Sequence, residues 1–292
     1  MATKKASLTS KKTSASKIAA VKTTKTTVTT APASATTNTF VGYIQRSARS
    51  MTLWRALGAE LVGTFLFTGV VIAGQGQPIF VLFALAGLVL MLGAISGAHV
   101  NPAITIGALV TRRIGWLRAL GYIIAQCLGA ALAYIVLSSF LGGAAPAGAQ
   151  AAAYGQQAAP ALFAAADYAR YAGKEWYVFF AELTGTAILG FAIANVTREL
   201  QGRVAAAFTA GIGIFVALMI GITAAGYVIA VSTTGIVSAT AIINPAVAIA
   251  LHAYSFATPW TLAIYAVAPV IGSIVGFIVY DFLRGRPATT TR

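Results

Sequence analysis

The chain runs to 292 residues, 58% of them hydrophobic and only 9% charged, with 20 Lys and Arg facing 6 Asp and Glu. That balance excludes an ordinary water-soluble domain and describes an integral membrane protein of several spans. The net charge of +14 follows from loop topology and a basic tail, so no nucleic-acid partner is expected from it.

Residues 1 to 40 are rich in Lys, Thr, Ser and Ala and contain no acid. Such a segment lacks the apolar content to fold alone, so residues 1–50 are read as a disordered basic cytoplasmic tail drawn to anionic membrane lipid. A transit peptide is the alternative, being also Ser-rich and acid-poor, but such peptides favour Arg where this tail uses Lys. Apolar runs able to cross a bilayer then fall at 53–75, 79–96, 116–141, 175–195, 204–224 and 259–282. A channel domain is expected over 51–286, with one repeat at about 53–141, a second at about 175–283, and a short tail at 287–292. Cys127 is the sole cysteine, so no intrachain disulfide forms, and its apolar setting suggests a buried thiol.

Between the second and third runs stands Asn101-Pro102-Ala103, and between the fifth and sixth Asn244-Pro245-Ala246. Asn is a preferred helix N-cap and Pro a preferred first helical residue, so each triplet opens a helix and cannot continue one. The apolar sequence that follows lasts to about Val110 in one case and Leu251 in the other, enough for roughly 15 Å of helix, half a bilayer. A half-span leaves unpaired backbone at membrane depth, tolerated only inside protein or against a water-filled cavity. The two breaks should therefore share one cavity.

Basic residues set the orientation. With both termini cytoplasmic, 18 of the 20 Lys and Arg fall on the inner side, and only Arg170 and Lys174 fall outside. Repetition extends beyond the triplets. Glu60 precedes Gly63-Thr64 in the first span as Glu182 precedes Gly185-Thr186 in the fourth, and Tyr122, Gln126 and Gly129 are spaced as Tyr265, Pro269 and Gly272. Three spans per half invert the second copy, which places a site near the midplane on the N-termini of broken helices.

The run Ser96 to Ala103, the paired Glu-x-x-Gly-Thr starts and Pro269-Val270-Ile271-Gly272 resemble the aquaporin family of major intrinsic proteins. The resemblance covers residues 53–284 and implies an all-α membrane fold: an inverted repeat of six tilted transmembrane helices in a right-handed bundle, plus two half-helices meeting head to head in a pore. It also implies a homotetramer whose subunits conduct separately, most simply in the plasma membrane.

Within such a pore, two helix N-termini each carrying about half a positive charge oppose a cation at the midplane. Asn101 and Asn244 are expected to cap with their oxygens and turn their amide N–H groups toward the lumen. The segments Gly97–Val100 and Ala239–Ile243 should expose carbonyls. His99 is read as bracing its loop, and Glu60 and Glu182 as holding loop N–H groups, the role the family pattern gives them. Gly93 with Gly97, and Gly272 with Gly276, are read as close-packing pairs.

One departure stands out. The family continues its second triplet with an Arg that forms the cationic wall of the outer constriction, and this chain has Val247 there. Spacing from the motifs assigns the rest of that selectivity filter to Val81, Ile214 and Ala241, all aliphatic. A wider constriction is expected unless Ile214 or a loop side chain fills it, one that admits neutral solutes larger than water, such as glycerol or urea, with ammonia also a candidate, while water crosses the apolar ring less easily than usual. The long loop 142–174 is read first as a tetramer-facing or mobile connection; the alternative is a fold over the pore mouth in which Tyr154, Tyr168, Arg170 or Tyr171 supplies polar groups near Val247.

Two other classes compete with a passive channel. A broken-helix secondary transporter needs charged partners at the midplane, whereas the intramembrane acids lie in the repeat starts. A non-conducting structural role would show as purified protein that carries no solute. An enzyme needs a nucleophile and base or a metal set; His99, His252 and Cys127 supply neither, so no catalytic residue, metal or cofactor is expected.

Overall fold

The computed structural model describes residues 40–141, 162–198, 202–232 and 241–285, and every regular element among them is helical. In chain order these are α1 (Phe40–Ala48), α2 (Met51–Ala73), α3 (Pro78–Leu92), α4 (Pro102–Val110), α5 (Trp116–Leu141), α6 (Glu175–Arg198), α7 (Arg203–Ser232), α8 (Pro245–Ala250) and α9 (Pro259–Arg284). A single 3-10 turn, Tyr168–Arg170, precedes α6.

Five helices are long and apolar enough to cross a bilayer: α2, α5, α6, α7 and α9. The second expected span is shorter than the run 79–96, because α3 closes after 15 residues. Its chain then turns through Gly93 to Ser96 toward the first triplet, with Ser96 N still donating to Leu92 O at 3.0 Å. A helix also occupies residues 40–48, inside the stretch expected to lack structure. Tyr43 of α1 packs on Trp116 with ring centroids 6.2 Å apart, and Trp54 Nε1 donates to Ala48 O at 2.7 Å. Those aromatic contacts give the segment the tertiary anchor its composition does not advertise. The rest of that tail, and the residues 287–292, lie outside the described residues.

The two halves are built alike. Helices α2 and α5 pack closely because Gly129 has no Cβ; one placed there would stand 2.3 Å from Leu61 O. In the second half α6 and α9 meet at Gly272 and Gly276, where a Cβ would stand 2.2 Å from Leu183 O and 2.1 Å from Ala187 O. Small residues let backbones approach in a membrane, where no hydrophobic drive presses helices together. Gly276→Ala is therefore expected to force α6 from α9 at a cost of about 3 kcal/mol. Gly58→Ala, at a position with nothing within 4 Å, should be neutral. Thermal unfolding followed by size-exclusion profile distinguishes the two. The pair Gly93 and Gly97 is different from the packing pair expected, since Gly97 has φ of +96° and serves a turn.

Between the halves, α3 packs on α7, and each half-helix leans on the third long helix of the other half: α4 on α9, α8 on α5. Gly107 of α4 makes room for Ser273 and Phe277 of α9. At the end of α4, Arg113 is buried by its neighbours. Its guanidinium sits 4.7 Å from the Phe277 ring centre, donates twice to Asp281 at 2.8 and 3.1 Å, and donates to Thr197 at 2.9 Å. A residue read from sequence as a topology marker thus also bolts three helix ends together.

Helix α9 contains a π turn at Ala263–Val267, two residues before Pro269. Pro269 has no N–H for the Tyr265 carbonyl, and the hydroxyl of Tyr254 donates to that carbonyl instead, at 3.0 Å. The same hydroxyl lies 3.1 Å from Pro245 O, linking α9 to the first residue of α8.

Candidate functional site

Each half-helix begins as a capped helix start requires. Asn101 is extended, with φ −156° and ψ 118°, and its side-chain oxygen accepts from Ala103 N at 2.9 Å. Asn244 matches it with φ −147° and ψ 106°, accepting from Ala246 N at 3.1 Å and Val247 N at 3.4 Å. Pro102 and Pro245 occupy the first helical positions and, like Ala103 and Ala246, are buried.

The amide nitrogens do something the sequence does not reveal. Asn101 Nδ2 donates to Ile243 O, and Asn244 Nδ2 donates to Val100 O, both at 2.9 Å. Each Asn thus ties down the residue just before the other. Those residues, Val100 and Ile243, have φ of 42° and 46°. For β-branched side chains this left-handed conformation is strained and persists only when the surroundings over-determine it. Here both ends of each are held.

The other end is held by a carboxylate. Glu60 accepts from Val100 N at 2.7 Å, His99 N at 2.9 Å, Ser96 Oγ at 2.6 Å and Gln126 Nε2 at 2.8 Å. Glu182 accepts from Ile242 N at 2.6 Å and Ile243 N at 2.7 Å. Two chains of contacts result, Glu60 to Val100 to Asn244 and Glu182 to Ile243 to Asn101, related by the internal repeat. His99 lies beside the first, its Nδ1 3.2 Å from Thr105 Oγ1 and its ring edge-on to Tyr122. Of the expected exposed carbonyls, those of Val100 and Ile243 are engaged by the opposite Asn, and residues 239 and 240 lie outside the described residues.

Val81, Ile214, Ala241 and Val247 come from four different elements and line one cavity of about 20 Å³. That holds about one water molecule. Phe67, Val71, Leu218, Ile242 and Leu251 complete an apolar wall with Gly76 and Phe163. The exception allowed for at Val247 is what the structure has: a loop side chain, Phe163 from the segment before α6, lines the same cavity. Gly76 admits it: with φ +65°, its missing Cβ would lie 2.4 Å from the Phe163 ring. The loop is pinned nearby, Ala165 N donating to Leu251 O at 3.2 Å.

The polar groups expected from that loop are elsewhere. Tyr168 and Tyr171 line a separate cavity of about 460 Å³ with Asp167, His252 and Thr258, Arg170 is exposed, and Tyr154 lies outside the described residues. A hydrogen bond to Glu175 pushes the Tyr168 hydroxyl above its ordinary pKa, and burial does the same for Tyr171. Among the described residues no three His, Cys, Asp or Glu side chains converge to hold a metal ion.

The family model described as major intrinsic protein matches residues 47–280. The chain belongs to that family. Among major intrinsic proteins it is similar to human aquaporin-1, 30% identical over 254 residues covering 79% of this chain and 82% of that one. It is also similar to Aquaporin AqpM of Methanothermobacter thermautotrophicus, 27% identical over 84% of this chain and 92% of that one. In three dimensions it shares the fold of the aquaglyceroporin from Plasmodium falciparum, with a TM-score of 0.53, 20% identity, and coverage of 78% of this chain and 93% of that one. The chain is an integral membrane protein with the aquaporin fold, a channel for water or small solutes.

Two residues escape a reading by motif. Phe163 sits in Ala-rich sequence with no periodicity to mark it. Tyr254 could have been sought, because Pro269 in an apolar helix announces an unpaired carbonyl four residues earlier that some donor must meet.

Proposed function

We propose that this major intrinsic protein is a passive channel for small neutral solutes, in which an aliphatic ring of Val81, Ile214, Ala241 and Val247 selects and Phe163 sets the bore. The observation that carries this reading is a cavity to which no lining residue brings a polar side chain, at the position where relatives of this fold are expected to place a cation. Water crossing such a ring forgoes hydrogen bonds and meets a barrier, whereas less polar neutral solutes lose less.

Cations are opposed at the triplets. The starts of α4 and α8 present positive helix ends to one junction. Each Asn amide uses one N–H on the opposite carbonyl, and the second remains for a passing oxygen. A solute accepting there turns its own hydrogens away from the centre and interrupts a proton wire. The basic-residue distribution supports cytoplasmic termini, and the family likeness supports a homotetramer with a pore in each subunit.

Stopped-flow measurements on proteoliposomes test the proposal by comparing water, glycerol, urea and ammonia. The expected result is clear flux of at least one solute other than water, raised further by Phe163→Ala, with an imposed pH gradient persisting. Fast water flux with no glycerol, urea or ammonia flux in either protein would sink the apolar-filter reading. Saturable, gradient-coupled uptake would favour a secondary transporter instead.

A further inference from the structure

A second cavity, of about 530 Å³ and sharing no lining residue with the filter, is bounded by α5, α9 and the first residues of α4 and α8. It is lined by Pro102 and Pro245, by Ile123 and Cys127 of α5 and by Leu262 and Ala266 of α9. The polar groups beside it are engaged inward. The Tyr254 hydroxyl shares its one hydrogen between the carbonyls of Tyr265 and Pro245, and Ser255 N and O are both met by Thr261 Oγ1 at 2.9 and 3.2 Å. What remains, apart from the Ser255 hydroxyl and the Cys127 thiol, is a hydrocarbon surface, a poor host for water, which needs two or more polar partners.

The crevice opens sideways. Ile124 and Leu128 beside it are 54% and 57% exposed, and Phe256 at its upper end is fully exposed. Trp260 stands at that end, edge-on to Trp176 with centroids 4.9 Å apart, the kind of aromatic pair that marks a membrane–water interface. From Pro259 down to Ala266 the wall runs about 10 Å along α9, most of the roughly 15 Å from interface to midplane. The π turn at Ala263–Val267 forms part of this wall.

We infer that this crevice holds the acyl chain of a bilayer phospholipid from the leaflet on the Trp260 side, with the chain end resting against the backs of Pro102 and Pro245. Length, orientation and chemistry all suit one occupant. A chain descends from headgroup level to mid-membrane, needs no polar partner, and fills a depression that bulk lipid otherwise leaves poorly packed. It thereby props the junction of the two half-helices from behind. The inference rests on the membrane setting of the chain and not on which solute the pore conducts.

The test uses the full-length protein in vesicles of phosphatidylcholine doped with a phosphatidylcholine carrying a diazirine near the methyl end of one chain. After illumination, adducts are mapped by mass spectrometry. Adducts at Ile123, Cys127 and Ala266 are expected, beyond those on the open surface at Leu128. Ala266→Phe, which fills the crevice, should lose the adducts at Ile123 and Cys127 while keeping those at Leu128; Cys127→Phe serves if the first variant does not purify as a single species. Adducts confined to the open surface overturn the inference. So do cross-links between two copies across the crevice, which would make it a subunit interface, or labelling there by a water-soluble carbene probe.

Discussion

Replacing Val247 with arginine is expected to cut the flux of whichever of glycerol, urea and ammonia the pore conducts at least tenfold and any residual cation leak about a hundredfold. Val247 is 2% exposed and borders a cavity of about 20 Å³, so a guanidinium cannot enter without displacing Phe163 or blocking the passage. The charge acts separately. About 5 Å from a permeating cation, at an effective dielectric near 20, it adds roughly 3 kcal/mol of repulsion, and each 1.4 kcal/mol is tenfold. The double variant Val247→Arg with Phe163→Ala should recover part of the neutral-solute flux while keeping the cation block, because volume and charge then separate. Vesicle shrinkage assays and a potential-sensitive dye give the two readouts. Unchanged flux of the conducted solute in the single variant would mean that the limiting constriction lies elsewhere.

Removing the Glu60 carboxylate is expected to be the most destabilising single change in the chain. Four donors converge on it, from Ser96, His99, Val100 and Gln126, and Glu60 is completely buried. Glu60→Ala leaves all four to find new partners, at about 1 kcal/mol or more each, for a total on the order of 4 kcal/mol. It also frees Val100 to relax from its left-handed conformation, which withdraws the carbonyl that Asn244 holds. Glu60→Gln should lose less, since Gln126 can turn its own amide to accept. Fluorescence-detected unfolding in detergent ranks wild type, Gln and Ala variants in that order. A stable Glu60→Ala protein with normal flux would show that the loop holds its shape without the carboxylate.

The fold is legible in the sequence because its main devices are local. An Asn-Pro start must cap a helix wherever it stands, and Glu60 and Glu182 announce themselves as acids in apolar sequence at matching places. What stays hidden depends on chain crossing. That Asn101 should reach Ile243 and Asn244 should reach Val100 follows from two loops folding against each other, and no period or spacing encodes it. Phe163 is invisible for the same reason: an aromatic in an irregular loop gains its meaning only from the space that Gly76 leaves. The shortness of α3 and the helix at Phe40–Ala48 are likewise tertiary outcomes, set by a turn toward Glu60 in one case and by Trp116 in the other.

The crossed straps between the triplets have a consequence for how the polypeptide is made. Val100 cannot settle until its carbonyl is met by Asn244, a residue 144 positions further along the chain. While the ribosome is still producing the second repeat, Glu60 can hold the Val100 N–H but nothing yet holds its carbonyl, so the first re-entrant segment is only half secured. Final seating of α4 is therefore expected late in biogenesis, with the arrival of α8, and a nascent chain halted before residue 244 should leave its first triplet open to proteases or labelling reagents.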